Sequence, residues 1–480
     1  AECTVAGLVH DAGDQRHRLQ LSAFARVSMV AEIKNLWQNS KTYRALLAAT
    51  VVYTVLRLVL HTAYLAVLLF PQAGVMGGIP GWVSAEGPMI PNDLQDYLNG
   101  ATLLKNREDL YLEGPLDRVE FYQYSPSYAL AFTVFLHFSP LVVVIIYTLL
   151  HFVAYGLLYA KWGQIFKKLG LKSAAQMLIW TLPVWLLFSS FWTDLSYLNI
   201  YIIMALLGTL LIDAVINEKL GWSVVWASII LQIKPQWIFA IAIPLLLGHY
   251  RFFLKLLILT GVTSIAIVGA TMLRVGPTYG WQQHINYIQF LSNMPGNFPW
   301  RGPEAPFLGY NHSVKQIIVY LSGVSPGAMM LADSIKVLLL IPLGVVGLHY
   351  LLRPICRIGK DVPVTGLDWA FALYLGAFIW LDMVWELSLG IAVYPYLLGT
   401  AELRSTKLWI HLAFLPYALL DPLRVMSFIV GGTDIILPGT YIATDPAIYF
   451  PLIMATILML YVVLVVRLWR TVPARRLAGV

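Results

Sequence analysis

Blocks of about 18 to 25 apolar residues recur along most of the 480-residue chain, each long enough to cross a hydrocarbon core about 30 Å thick. No other feature restricts the fold as strongly. In lipid every backbone amide and carbonyl must be satisfied within the protein, which leaves helical bundles and closed β-barrels. A barrel would show alternating segments of about ten residues, and none is found. The chain therefore reads as an all-α, polytopic membrane protein. Its composition excludes a soluble enzyme: 12% of residues are charged and the mean hydropathy is +0.72, whereas soluble proteins carry about 25% charged residues.

Spans are predicted at 43–70, 126–160, 173–191, 198–216, 221–233, 236–248, 251–275, 329–352, 366–384, 387–401, 408–427 and 446–468, about twelve in all. Residues 1–42 lack the apolar core and cleavage site of a secretory signal and read as a cytoplasmic arm, with an amphipathic or plain helix over 24–37. Residues 43–275 form a first membrane module with an outer loop at 71–125. A second outer loop follows at 276–328, and 329–480 form a C-terminal membrane module. In this topology both termini are cytoplasmic. The outer loops then hold only Lys105, Arg107, Arg118, Arg301 and Lys315 of the 32 Lys and Arg, as the positive-inside rule requires. Clusters such as Lys161/Lys167/Lys168 and Arg353/Arg357/Lys360 thus report orientation, and the net charge of +7 calls for no nucleic acid. Cys3 and Cys356 form neither a disulfide framework nor a zinc grouping.

Three features break the pattern. The segment 126–160 is too long for one perpendicular helix and carries Pro126 and Pro140, so its beginning is expected to be a short surface helix. The pieces 221–233 and 236–248 are short and meet at Lys234-Pro235, and 387–401 is also short. Broken helices are stable in a bilayer only where protein or a water-filled cavity satisfies the freed backbone. In the second outer loop Tyr279, Trp281, His284, Tyr287 and Phe290 recur at helical spacing, predicting an interfacial helix followed by a Pro/Gly-rich lid.

The charged residues then narrow the chemistry. Asp93 and Asp96 fall three apart in IPNDLQDYLNG, on one face of a helical turn near the membrane. A carboxylate held there can act as general base towards a hydroxyl; the structural alternative is a helix N-cap by Asn92 or Asp93. Lys234 lies inside the apolar region, where a Lys costs about 2.5 kcal/mol or more. It can meet a phosphate, or pair with Asp194 or Glu386. In WLDMVWELSLG, Asp382 and Glu386 are four apart, hence on the same side of a helix, and can bind a cation, a proton or sugar hydroxyls. Asn311 and His312 end the second loop. No metal-ligand spacing, Gly-rich phosphate loop or GxSxG occurs. Nucleotide-driven chemistry is disfavoured, and an enzyme on the outer face would draw an activated donor from the membrane itself, such as a lipid-phosphate-linked sugar.

The order of motifs resembles the integral-membrane GT-C glycosyltransferases, most closely the polyprenol-phosphate-mannose-dependent α-mannosyltransferases of the phosphatidylinositol-mannoside type, over roughly residues 43–320. NDLQDYLNGATLLKNREDLY (92–111) is similar to that family's Asp-x-x-x-Tyr followed by a helix and a terminal Tyr. FYQYSPSYAL (121–130) looks like its Tyr-x-Tyr-Pro-Pro element with Ser125 for one Pro, LQIKPQWIFAIAIPLLLGHYRF (231–252) like its Lys-Pro segment, and GYNHSVKQ (309–316) like an Asn-Gln-Ser motif with His312 in the middle. The resemblance implies that Asp93 is the catalytic base, that Lys234 lies near the donor phosphate, and that Asp96, Tyr97, Asn199, Asn311, His312 and Glu386 bind substrate. It also implies a polyprenyl-phosphate sugar donor, a glycolipid or glycan acceptor, and neither metal nor cofactor. Two positions depart from the family: Ser196-Tyr197-Leu198-Asn199 stands for Gly-Gln-x-Asn, and Trp385-Glu386-Leu387 for a Trp closely followed by His. The competing readings are a secondary transporter and a non-catalytic subunit of a larger membrane complex.

Overall fold

The computed structural model describes residues 29–70, 90–111, 122–304, 311–352, 362–431 and 446–471. Of these, 85% are helical, and no strand occurs among them. Most of the expected N-terminal arm, parts of both outer loops and the basic stretch 353–361 lie outside the described residues.

Five helices are long and apolar enough to cross a membrane: Lys41–Leu69, Pro140–Lys168, Tyr250–Val275, Pro326–Leu352 and Leu452–Thr471. A sixth span results if Lys172–Trp180 and Leu182–Tyr197, bent by 51° where Pro183 interrupts the helix, are counted together. The about twelve crossings expected from sequence are not reached by length and composition. Tyr201–Ile216, Leu220–Ile233, Pro235–Leu246 and Val364–Trp380 are shorter apolar helices. The expected span at 408–427 is divided at Leu419 into Arg404–Ala418 and Leu420–Gly431.

Burial separates these helices into two groups. The long ones expose apolar rows, such as Val52, Val55 and Val59 on the first and Ile258, Val262 and Ile265 on Tyr250–Val275. Such rows are disfavoured in water and suited to lipid. The helices Tyr201–Ile216, Val364–Trp380 and Gly390–Thr400 instead bury most of their residues against other helices. An apolar helix enclosed by protein need not match the bilayer thickness.

One close approach depends on a missing side chain. A Cβ on Gly399 would lie 2.3 Å from the Cα of Ala174, on the facing helix Lys172–Trp180. Ala normally stabilises a helix over Gly by about 1 kcal/mol. At position 399 the sign is expected to reverse, with Gly399→Ala costing about 1–3 kcal/mol through overpacking. Thermal unfolding of the detergent-solubilised variant would measure this, and an unchanged or raised midpoint would refute it.

The proline positions act as expected. Pro126–Phe132 is a short helix whose first turn is capped by Ser125 Oγ accepting from Tyr128 N at 3.2 Å. It continues as one 3-10 stretch, Thr133–His137, before the span beginning at Pro140. The second loop begins with the expected helix, Pro277–Asn297, followed by another at Val314–Ser322, capped by Ser313. Part of the expected lid, 305–310, lies outside the described residues.

Candidate active site

Asn92–Asn106 forms the helix that carries both loop carboxylates, and it is not one of the candidate spans. Pro91 occupies its N-cap without a side-chain cap bond, so neither Asn92 nor Asp93 is the cap. Asp93 instead stands in the first turn, where the helix dipole favours a negative charge. It is half-buried. Removal from solvent raises its carboxyl above the usual carboxylate range, while Lys234 and a side-chain hydrogen bond from Asn199 oppose the shift. Asp96, also half-buried, is pushed up to about 8, by burial first and then by the charge of Asp93.

Lys234 reaches this region because Pro235 ends a helix. Leu220–Ile233 stops where proline disfavours the α-conformation of the preceding residue, and Lys234 is extended at φ −136° and ψ 90°. Its ammonium sits 4.8 Å from the ring centre of Tyr124 and 4.4 Å from that of Tyr201. Lys234 is buried and makes no ion pair within 4.0 Å among the described residues, although Asp93 is close enough to interact with it electrostatically. The pairings considered from sequence are absent because both candidate carboxylates are engaged elsewhere. Asp194 accepts from the amides of Tyr201 and Ile202 at 3.1 and 2.9 Å and faces His151 Nε2 at 3.4 Å. Glu386 accepts from the Tyr417 hydroxyl.

Asn199 is positioned by a strained turn. The helix Ser189–Tyr197 ends at Leu198, which takes φ +50°, a left-handed conformation costing a non-glycine residue about 1–2 kcal/mol. Directly after it, the Asn199 carbonyl oxygen bonds His151 Nε2, and its side-chain oxygen accepts from the Tyr97 hydroxyl at 3.1 Å. Tyr97 is fully buried, 3.1 Å from the Tyr124 hydroxyl, with its ring edge-on to those of Tyr124, Tyr128 and Phe132. Ser125 ties this aromatic wall to the Lys234 helix by donating to the Gln232 carbonyl. Four sequence candidates, Asp93, Tyr97, Asn199 and Lys234, therefore converge, with Asp96 one turn further along.

The remaining candidates lie apart. The Asn311 side chain donates to the Asp382 carbonyl at 2.9 Å and accepts from the amides of Ser313 and Val384, both at 3.1 Å. The His312 amide donates to the Val384 carbonyl at 2.7 Å. These bonds clasp 311–313 to 382–384, which accounts for Asn311 structurally. The helical pairing of Asp382 with Glu386 does not form, because the helix ends at Trp380 and residues 381–387 are not helical. Asp382 pairs with Lys315 at 3.0 Å and with Lys336. Glu386 is buried behind the site, within electrostatic range of Asp194 and Tyr201.

Sequence reasoning did not single out Tyr124 or Tyr201 as neighbours of Lys234, nor His151. Tyr124 lies within the YQYSP stretch and was findable there. Tyr201 and His151 are ordinary aromatic residues of apolar helices, and nothing local marks them. The class that fold and site define is a helical protein whose long apolar helices suit a membrane, with a carboxylate in electrostatic range of a buried cation beside aromatic walls. Comparison with protein-family models, curated proteins and solved structures returns no match to this chain.

Proposed function

We propose that the protein is a membrane glycosyltransferase of GT-C type that moves a sugar, mannose in the first instance, from a polyprenyl-phosphate donor to a lipid-linked or cell-envelope acceptor. The reaction takes place on the non-cytoplasmic face of a multi-pass chain with cytoplasmic termini. The observation carrying this reading is a half-buried Asp93 within electrostatic range of a buried Lys234 that makes no salt bridge among the described residues. The Asp93 carboxylate removes the proton from an acceptor hydroxyl as that oxygen attacks the anomeric carbon. The bond from that carbon to the phosphate oxygen breaks, polyprenyl phosphate leaves with the electron pair, and configuration inverts. The Lys234 ammonium offsets the charge on the departing phosphate. Asn199 lies near the base and opposes the upward shift of its carboxyl, and the tyrosine walls offer faces for sugar rings.

Lys234→Gln is expected to raise KM for the polyprenyl-phosphate donor about 10- to 100-fold, the range of a charge-assisted hydrogen bond to phosphate. Steady-state transfer with the purified chain measures this, and an unchanged donor KM would remove Lys234 from the role. A second reading, secondary transport, is favoured by the helix break at Lys234-Pro235. Substrate uptake into vesicles that depends on Lys234, without sugar transfer, would support it instead.

A further inference from the structure

Away from Asp93, a cavity of about 350 Å³ is lined by Leu104, Lys105, Arg107, Leu130, Thr133, His137, Arg274 and Val275. Lys105 lies twelve residues beyond Asp93 on the same helix, about 18 Å along its axis, so the cavity is separate from the candidate active site. Its walls come from three places: the C-terminal end of Asn92–Asn106, the 3-10 stretch Thr133–His137, and the C-terminal end of the span Tyr250–Val275.

Cations at helix C-termini commonly complement the helix dipole, and that accounts for each basic residue singly. It does not account for their convergence. Lys105, Arg107 and Arg274 share one cavity with His137, and among the described residues no carboxylate lines it and none of the three cations makes an ion pair. Glu108, the acid next to Arg107 in the chain, accepts from Asn106 Nδ2 at 3.1 Å and forms no ion pair among the described residues. Three cations at one cavity repel one another, and an anion among them relieves that repulsion. Arg107 is also held in place by the backbone. It closes its helix in the left-handed region at φ +61°, with its own amide bonding Leu104 O and the Glu108 amide bonding Leu103 O. Its guanidinium comes to 3.8 Å from where a Cβ on Gly276 would stand, directly after the span that ends with Arg274 and Val275.

The position of the cavity identifies the kind of anion. One wall ends the span Tyr250–Val275 and another immediately precedes the span Pro140–Lys168, so the cavity lies at a membrane boundary. Exposed apolar side chains, Leu273, Val134 and Phe138, adjoin the basic residues. An arrangement of cations beside lipid-facing apolar groups matches a phosphate headgroup with its acyl chains, and charge near the surface attracts anionic lipid. We infer that this cavity binds the phosphate of an anionic membrane lipid, independently of the transfer reaction at Asp93.

The test uses the full chain, purified in detergent and titrated with short-chain phosphatidylglycerol, with phosphatidylcholine as the zwitterionic comparison. Native mass spectrometry counts the bound lipid, and inorganic phosphate provides the soluble source of the same chemistry. Arg107→Gly removes the guanidinium while supplying the residue that best tolerates a positive φ, so this variant retains its helix end. It should bind phosphatidylglycerol about fivefold more weakly, and Lys105→Gln/Arg107→Gly/Arg274→Gln about 100-fold, from roughly 1 kcal/mol per surface cation. Phosphatidylcholine binding should be unaffected. Equal affinity of wild type for the two lipids, or undiminished phosphatidylglycerol binding by the triple variant, would overturn the inference. So would displacement of the lipid by inorganic phosphate at comparable concentration, which would make the ligand a soluble anion.

Discussion

Asp93→Asn is expected to lower the rate of sugar transfer by about 10²- to 10⁴-fold, the contribution of a positioned general base. Asparagine preserves shape but cannot take up the proton of the acceptor hydroxyl. On the proposed mechanism the variant should retain donor binding, because Lys234 and not Asp93 is assigned to the phosphate, so kcat should fall while donor KM changes little. Wild-type activity should also depend on pH in a defined sense. Burial raises the Asp93 carboxyl above the usual carboxylate range, and the base works only when ionised, so activity should fall on acidification while ordinary carboxylates are still charged. The residual activity of Asp93→Asn should lack that acidic limb. The assay is transfer from radiolabelled polyprenyl-phosphate mannose to a host lipid extract, run across pH with both proteins. Transfer by Asp93→Asn at the wild-type rate would sink the proposed mechanism, and no transfer by either protein, with arabinose- and glucose-linked donors also inert, would favour the transport or subunit readings.

The second large effect concerns stability. Arg57 lies in the middle of the span Lys41–Leu69, 2% exposed, and meets Asp421 through Nε to Oδ2 at 2.9 Å and Nη2 to Oδ1 at 3.2 Å. The Tyr53 hydroxyl donates to the same carboxylate, and the Trp192 ring centre lies 5.1 Å from the guanidinium carbon. Asp421→Ala would strand a buried guanidinium and should cost about 3–5 kcal/mol. Replacing both partners, with Arg57→Met and Asp421→Leu together, should recover most of that loss, because removing a buried pair also removes its desolvation penalty. Unfolding of the solubilised protein with increasing denaturing detergent would distinguish the three proteins. Equal resistance of Asp421→Ala and wild type would show that the pair contributes nothing.

The main local features of the fold are legible in the sequence. Apolar runs of bilayer length specify helices, because lipid leaves backbone groups no other partners. Lys234-Pro235 specifies a break, because proline removes an amide and restricts its neighbour. The spacing of Asp93 and Asp96 predicts one face of a helical turn, and both lie on the helix Asn92–Asn106. Each of these properties is set within one continuous stretch of chain. The expected number of spans exceeded what helix length and apolarity support, because helices in the interior are surrounded by protein and need not match the bilayer.

Pairings between distant segments were decided only by the tertiary structure. Arg57 and Asp421 are separated by 364 positions, and no local pattern links them. Asp194 was a candidate partner for Lys234 until packing placed it against His151 and the amides that open the next helix. Asp382 and Glu386 share a helical spacing but no helix, and the chain carries them to Lys315 and Tyr417 instead. The sequence by itself determined the class of molecule and the residues available for chemistry, through backbone rules acting over a few residues. Which charges meet, which remain without an ion pair, and where Lys105, Arg107 and Arg274 converge depended on how the helices pack, since contact between remote side chains is a property of the whole arrangement.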